Sequence, residues 1–251
     1  MKNLFFVLIF LVGSNLSYGQ AISYRYMQPK KGHGQDLMKG LEMKTKKYNS
    51  KESDPRIYTF AVRASQNGGM QSVVRMSYGE TIGDLPMGGS NQPGMWDYWM
   101  ENVDKYVENT SSSEIFRLRK SATHNDAVGS DKPFRRVFHY LIKPGHQDKF
   151  WKVRDNMPRA IEESGVDLDI NAFQSFAGGS MGHARIVIFE KDMKGFEPGS
   201  GDWQKIRDAY NNIHGDDSWE IDWELSRSSQ REWGNNVELL EFLPELSSPS
   251  N

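Results

Sequence analysis

The residues able to do chemistry in this chain are six histidines, seven tryptophans and a nearly balanced set of 31 basic and 33 acidic side chains. There is no cysteine, which removes disulfides, thiolate catalysis, Cys-ligated zinc and iron–sulfur clusters together. No two histidines stand four apart, and none lies in a His-Glu-x-x-His frame, so no zinc motif is present and no metal is expected. His33 and His146 each precede an amphipathic segment, where a polar residue at a helix start is ordinary. His214 closes a helical pattern, where partial positive charge suits the dipole. His139 differs, because it alternates with Val137 and Leu141 in a strand-like run whose other face is Phe138, Tyr140 and Ile142. Gly178-Gly179-Ser180-Met181-Gly182 fits the Gly-x-Ser-x-Gly frame of a hydrolase nucleophile, but that frame needs a helix after it. The β-branched run Ala184–Phe189 follows instead, so the segment reads as a hairpin and Ser180 as a turn residue.

The elements that would position these residues fall into two halves behind a leader. Lys2, an apolar run from Leu4 to Val12, and small residues at Ser17 and Gly19 read as a secretory signal cut before Gln20. The run is far shorter than the ~20 residues that span a bilayer. Export without cysteine implies a bacterial periplasm or exterior, with no membrane attachment after cleavage. The net charge of −2 gives no support for nucleic-acid binding.

After the leader, Lys30-Lys31-Gly32-His33 and Lys143-Pro144-Gly145-His146 recur 113 positions apart, each preceded by an aromatic strand pattern. The periodicity predicts, in the first half (20–122), strands at 23–27, 57–64, 72–78 and 114–120, with helices at 35–48 and 96–107. Asn67-Gly68-Gly69 supplies a hairpin turn between the second and third strands. The second half (134–230) predicts strands at 136–142, 170–176, 184–190 and 219–225, with helices at 147–163 and 202–213. Pro158 is expected to bend or interrupt the first of those helices. Residues 123–133 read as a linker and 231–251 as a tail.

A twofold β-α-β-β-α-β order is ferredoxin-like. With its aromatic strand, Gly-His turn and amphipathic helix in tandem, the chain resembles the dimeric α+β barrel superfamily, which includes antibiotic-biosynthesis-monooxygenase-like and NIPSNAP-like proteins. The resemblance implies an α+β fold in which two repeats pair sheet to sheet into a pseudo-twofold barrel. It also implies a small-molecule ligand between the repeats and a monomer or homodimer. Some members bind haem and others oxidise aromatic substrates without a cofactor; no haem-ligand motif aligns onto this chain, so no cofactor is assigned.

In such a barrel His139 would face the lumen. Matching Phe116 to Ile221 sets Arg117 on Asp222 and Arg119 on Glu224, so a basic face would meet an acidic one, with Arg63 and Arg75 joining the basic side. These seven residues are the expected ligand contacts. The alternative is a non-catalytic structural or interaction protein whose charges form an internal ion-pair network.

Overall fold

A computed structural model describes residues 20–66, 71–86, 92–125, 132–197 and 202–249. The expected leader, the Asn67-Gly68-Gly69 turn and most of the expected linker lie outside these ranges. The strands are β1 (Ala21–Pro29), β2 (Arg56–Ala64), β3 (Val73–Gly79), β4 (Val107–Thr110), β5 (Glu114–Leu118), β6 (Phe134–Leu141), β7 (Asp169–Ala177), β8 (His183–Glu190) and β9 (Asn236–Phe242). The helices are α1 (Gly34–Tyr48), α2 (Met95–Asn102), α3 (Gln147–Ser164), α4 (Trp203–His214) and α5 (Ser218–Ser228). No helix among the described residues is long and apolar enough to cross a membrane.

Eight strands close into an antiparallel barrel in the order β1-β3-β2-β9-β6-β8-β7-β5, with β5 returning to β1 and β4 capping the far end of β1. The first half contributes the consecutive set β5-β1-β3-β2 and the second half β9-β6-β8-β7. The seams are β2 on β9 and β5 on β7. Closure leaves none of the eight with a free hydrogen-bonding edge, which removes the aggregation hazard of an open sheet.

Because side chains alternate across a strand, each strand gives one face to the lumen and one to the outside. The lumen takes Tyr24, Tyr58, Phe60, Phe116, Phe173 and Phe189, among others, and these rings nearly fill it. The outer faces are covered by α1 and α2 on the first half, and by α3, α4 and α5 on the second.

The recurring Gly-His turn has the same geometry in both halves. Gly32 (φ +85°) and Gly145 (φ +76°) take the left-handed conformation that glycine adopts without steric cost. The His33 and His146 amides donate to the carbonyls of Lys30 and Lys143 at 2.9 and 3.1 Å, and each histidine then starts its helix. The helix α3 runs unbroken through Pro158, contrary to the expected interruption. Its buried side, with Phe150, Val153, Met157 and Ile161 packed in the core, outweighs the one ladder bond that proline removes.

One larger difference changes the topology. The expected strand at 219–225 is the helix α5, and the last barrel strand is β9, drawn from the expected tail. The segment satisfies both periods. As a strand it shows Trp219, Ile221, Trp223 and Leu225 on one face; as a helix it shows Trp219, Asp222, Trp223 and Ser226. The helical set wins because Trp219 packs edge-on to Tyr210 and to Trp223, while buried Asp222 and Ser226 find polar partners. Ile221 is left 55% exposed. The expected helix at 96–107 is also shorter, ending at Asn102 before β4 begins.

Candidate functional site

The outer face of the first half carries a cluster of cations. Arg25 on β1 and Arg75 on β3 stand directly opposite each other in the sheet register and point toward the helices, since their neighbours Tyr24, Tyr26, Val74 and Met76 point inward. Like charges so placed repel. Helix α1 lays Lys44 over them from its buried stripe of Leu37, Leu41 and Tyr48. Arg75 donates to the hydroxyls of Thr45 and Thr59, both at 3.1 Å, and to the Leu246 carbonyl. Lys44 donates to Asn49 Oδ1 at 2.6 Å, and Arg25 stacks on Trp99 at 5.3 Å. Among the described residues none of the three forms an ion pair with a carboxylate.

These cations border a cavity of about 490 Å³ between sheet and helices, lined also by Met95, Trp96 and Trp99, by Ser23 and Ser77, and by the carboxylate of Asp104. Burial, and then repulsion from Arg75 and Arg25, pushes the Lys44 amine down to about 7. Burial and the nearby Arg25 push Arg75 down to about 9, and burial also lowers Arg25. A lysine held near neutral pH can accept a proton, and two arginines still charged at that pH can stabilise an anion beside it. Trp96, 61% exposed, stands at the opening.

The barrel interior holds a second polar group, a line of four side chains. Glu238 Oε2 lies 3.0 Å from His139 Nε2, His139 Nδ1 lies 2.9 Å from His183 Nε2, and His183 Nδ1 lies 3.1 Å from Glu114 Oε2. The hydroxyls of Tyr26 and Ser65 donate to the other Glu238 oxygen. Burial opposes the Glu238 charge, but donors from His139, Ser65 and Tyr26 overcome it and hold the carboxyl at about 2. Burial lowers His139 against that partner's pull. The outer end, Glu114 and His183, faces a cavity of about 300 Å³ at the barrel mouth.

Of the seven expected contact residues, only His139 faces the lumen, where it is 2% exposed. Arg75 lines the outer cavity instead. Arg63 points outward and pairs with Glu241 across the β2–β9 seam. Arg117 is exposed over the ring of Phe176, and Arg119 forms a two-pronged pair with Asp155 at 2.7 and 2.6 Å. Asp222 takes the Tyr210 hydroxyl at 2.7 Å and Lys152 at 2.8 Å, and Glu224 pairs with Arg227 in the surface turn of α5.

The expected pairing of Arg117 with Asp222 and Arg119 with Glu224 is therefore wrong. The lumen is an aromatic core, so β5 turns Phe116 and Leu118 inward and its arginines out, while the acidic pair lies on a helix. Sequence reasoning missed Arg25, Lys44, Trp99, Glu238 and His183. Lys44 was detectable as the single charge on the apolar stripe of α1, and Arg25 as the residue alternating with Tyr24 and Tyr26.

No known protein family matches the sequence, and no curated protein does. Among solved structures, the fold is similar to that of a proposed monooxygenase from Fusobacterium nucleatum (11% identity, 90% of this chain and 93% of that one, TM-score 0.59). It is also similar to an anthrone oxidase-like protein (9%, 90% and 92%, TM-score 0.54) and to a mutant chlorite dismutase from Candidatus Nitrospira defluvii (9%, 91% and 93%, TM-score 0.53). At these identities the likeness shows a common α+β barrel fold.

The donor set does not fit a haem. No histidine lines the 490 Å³ cavity, the lumenal histidines are bonded to each other and to carboxylates, and His214 is packed 4.6 Å from Tyr210.

Proposed function

We propose that the protein binds a small acidic aromatic molecule in the helix–sheet cavity of its first half and converts it as an oxygenase-like enzyme. The observation that carries this reading is the cluster of buried Lys44 and Arg75 with half-buried Arg25, beside indole walls and without a carboxylate ion pair among the described residues. Lys44, unprotonated in part at neutral pH, would take a proton from a phenol or an activated CH₂. The two arginines would hold the resulting electron-rich anion, and Trp96 and Trp99 would hold its ring. Such anions are the forms of these molecules that react with oxygen, and the likeness to an anthrone oxidase-like protein adds an anthrone as a model substrate. In that conversion the CH₂ group becomes a carbonyl, one oxygen atom of O₂ enters it, and the other leaves with both hydrogens as water.

The filled lumen supports a second role for the barrel itself, as scaffold: its polar line closes on its own members, as the structural alternative requires. In this reading the two halves are copies of one ferredoxin-like unit, of which the first keeps an open outer cavity among the described residues. The leader-like residues 1–19 support a location outside the cytoplasm, in which case the mature chain would begin at Gln20.

The test is anthrone-dependent oxygen uptake by the purified mature protein, with anthraquinone formation followed by absorbance. Uptake should fall at least tenfold in Lys44→Met and Arg75→Leu. If anthrone neither quenches the tryptophan fluorescence nor drives oxygen uptake above the rate in buffer, the proposal is wrong.

A further inference from the structure

Inside the barrel lies a cation that the reading above does not use. Arg185 on β8 is 3% exposed, with its guanidinium carbon 4.0 Å over the ring of Tyr24 and 5.6 Å from that of Phe116. Its Nε and Nη1 are buried, yet neither meets a hydrogen-bond acceptor among the described residues. Buried donors, and buried charges above all, are normally given a partner.

The charges of the lumen show what kind of partner is missing. Two guanidinium groups point inward, Arg135 and Arg185, and both border a cavity of about 40 Å³ with Asn171, Phe60, Phe173 and Phe189. Arg135 spends Nη1 on the backbone carbonyls of Lys132 and Phe134. The one fully buried carboxylate, Glu238, is committed to Tyr26, Ser65 and His139. Glu114, at the mouth, is bonded to His183, and Asp169, behind Arg135, is paired with Lys132. Burial keeps Tyr24, Tyr26 and Tyr58 protonated, so no phenol supplies negative charge, and it favours the neutral form of His139. Asp169 acts on Arg135 as a countercharge and Glu238 is committed to other donors, so Arg185 is the lumenal cation whose Nε and Nη1 meet no anion among the described residues.

We propose that this cavity is a binding site for a small monovalent inorganic anion, of the size of a halide or nitrate, held by Nε and Nη1 of Arg185. The cavity has room for roughly two or three water-sized particles, which excludes organic carboxylates of any length. Water would satisfy the donors but bring no negative charge to the Arg185 guanidinium. The site is separate from the outer cavity, since Arg185 and the triad lie on opposite faces of the barrel wall.

Two measurements test it. Diffraction data from crystals soaked in sodium bromide, collected at the bromine edge, should show an anomalous peak inside the barrel in contact with Arg185. In solution, at fixed ionic strength, chloride, bromide and nitrate should raise the melting temperature by a saturable few degrees, and the larger sulfate and gluconate should not. Arg185→Met, which keeps the length and apolar stem of the side chain, should abolish the difference between the two groups of anions. Bromide peaks confined to the surface, with ordered water against Arg185, would overturn the proposal. So would equal responses to all the anions, or equal responses in the wild type and Arg185→Met. If that variant does not fold, the anomalous map and the anion series on the wild type decide the matter alone.

Discussion

The two outer faces of the barrel are each covered by helices and have opposite interiors. Under α3, α4 and α5 the second face is closed: Phe150, Trp151, Ile161, Ile206 and Tyr210 are packed with essentially no exposure. Its charges are enclosed or paired. Arg154 donates to Phe150 O and Ser226 and is ringed by Phe150, Tyr140 and Trp223, and Asp222 has both Tyr210 and Lys152. Under α1 and α2 the first face keeps a smaller core around Leu37, Leu41 and Trp99, and beside it the open cationic cavity. The difference separates a face packed for stability from the face where the proposed function would reside. A face built for stability has no reason to hold three cations together without a carboxylate, whereas a face that binds an anion does.

The contrast can be broken most directly in the closed face. Phe150→Ala, which empties a fully buried site, should lower unfolding free energy by about 3–5 kcal/mol in urea titrations while leaving ligand binding in the folded protein unchanged. A comparable loss from Arg75→Leu would erase the distinction. Arg75→Leu is instead expected to raise stability by about 1–2 kcal/mol, because it removes a desolvated charge. It strands no acceptor, since Leu246 O still receives the Thr45 and Thr59 hydroxyls. Its anion binding, read by tryptophan quenching, should fall at least tenfold.

Lys44 sharpens the comparison through pH. Its folded value of about 7 lies below the unfolded 10.5, so between these values the unfolded chain binds more protons and stability rises with pH. Below about 7 both states are protonated and the full cost of the buried charge is felt. Unfolding titrations at pH 6, 8 and 10 should show this rise in the wild type, and the rise attributable to Lys44 should vanish in Lys44→Met. The smallest effect is expected at Trp96, exposed at the opening. Trp96→Ala should change stability by no more than about 0.5 kcal/mol while weakening binding of the aromatic probe.

Much of this architecture was legible from local signals. The Lys-x-Gly-His turns recur because a left-handed residue is needed before each helix, and glycine supplies it at 32 and 145. The inward direction of His139 followed from strand alternation, a geometric property of the backbone, together with the barrel that the resemblance implied. The hairpin reading of Gly178–Gly182 also holds, since β7 and β8 pair on either side of it. The site was much less legible. Lys44, Arg25 and Arg75 come from three elements and become neighbours only when β1 pairs with β3 and α1 folds over them. The segment 219–225 was misread because its apolar spacing suits both periods, and its deciding partners, Tyr210 and Arg154, are distant in sequence or on another element.

By itself, then, the sequence determined a cysteine-free α+β chain with a recurring Gly-His turn, the starts of its main helices and which residues of a strand share a face. These depend on turn chemistry and on periods of two and 3.6, which act over a few residues. Only the tertiary structure decided which strand closed the barrel, that β9 rather than 219–225 paired with β2 and β6, and which charges met. Those outcomes depend on what each face buries against and on whether a buried polar group finds a partner. The barrel buries aromatic faces inward, so the arginines of β5 turn outward, and the charges that remain inside gather around Glu238 and Arg185.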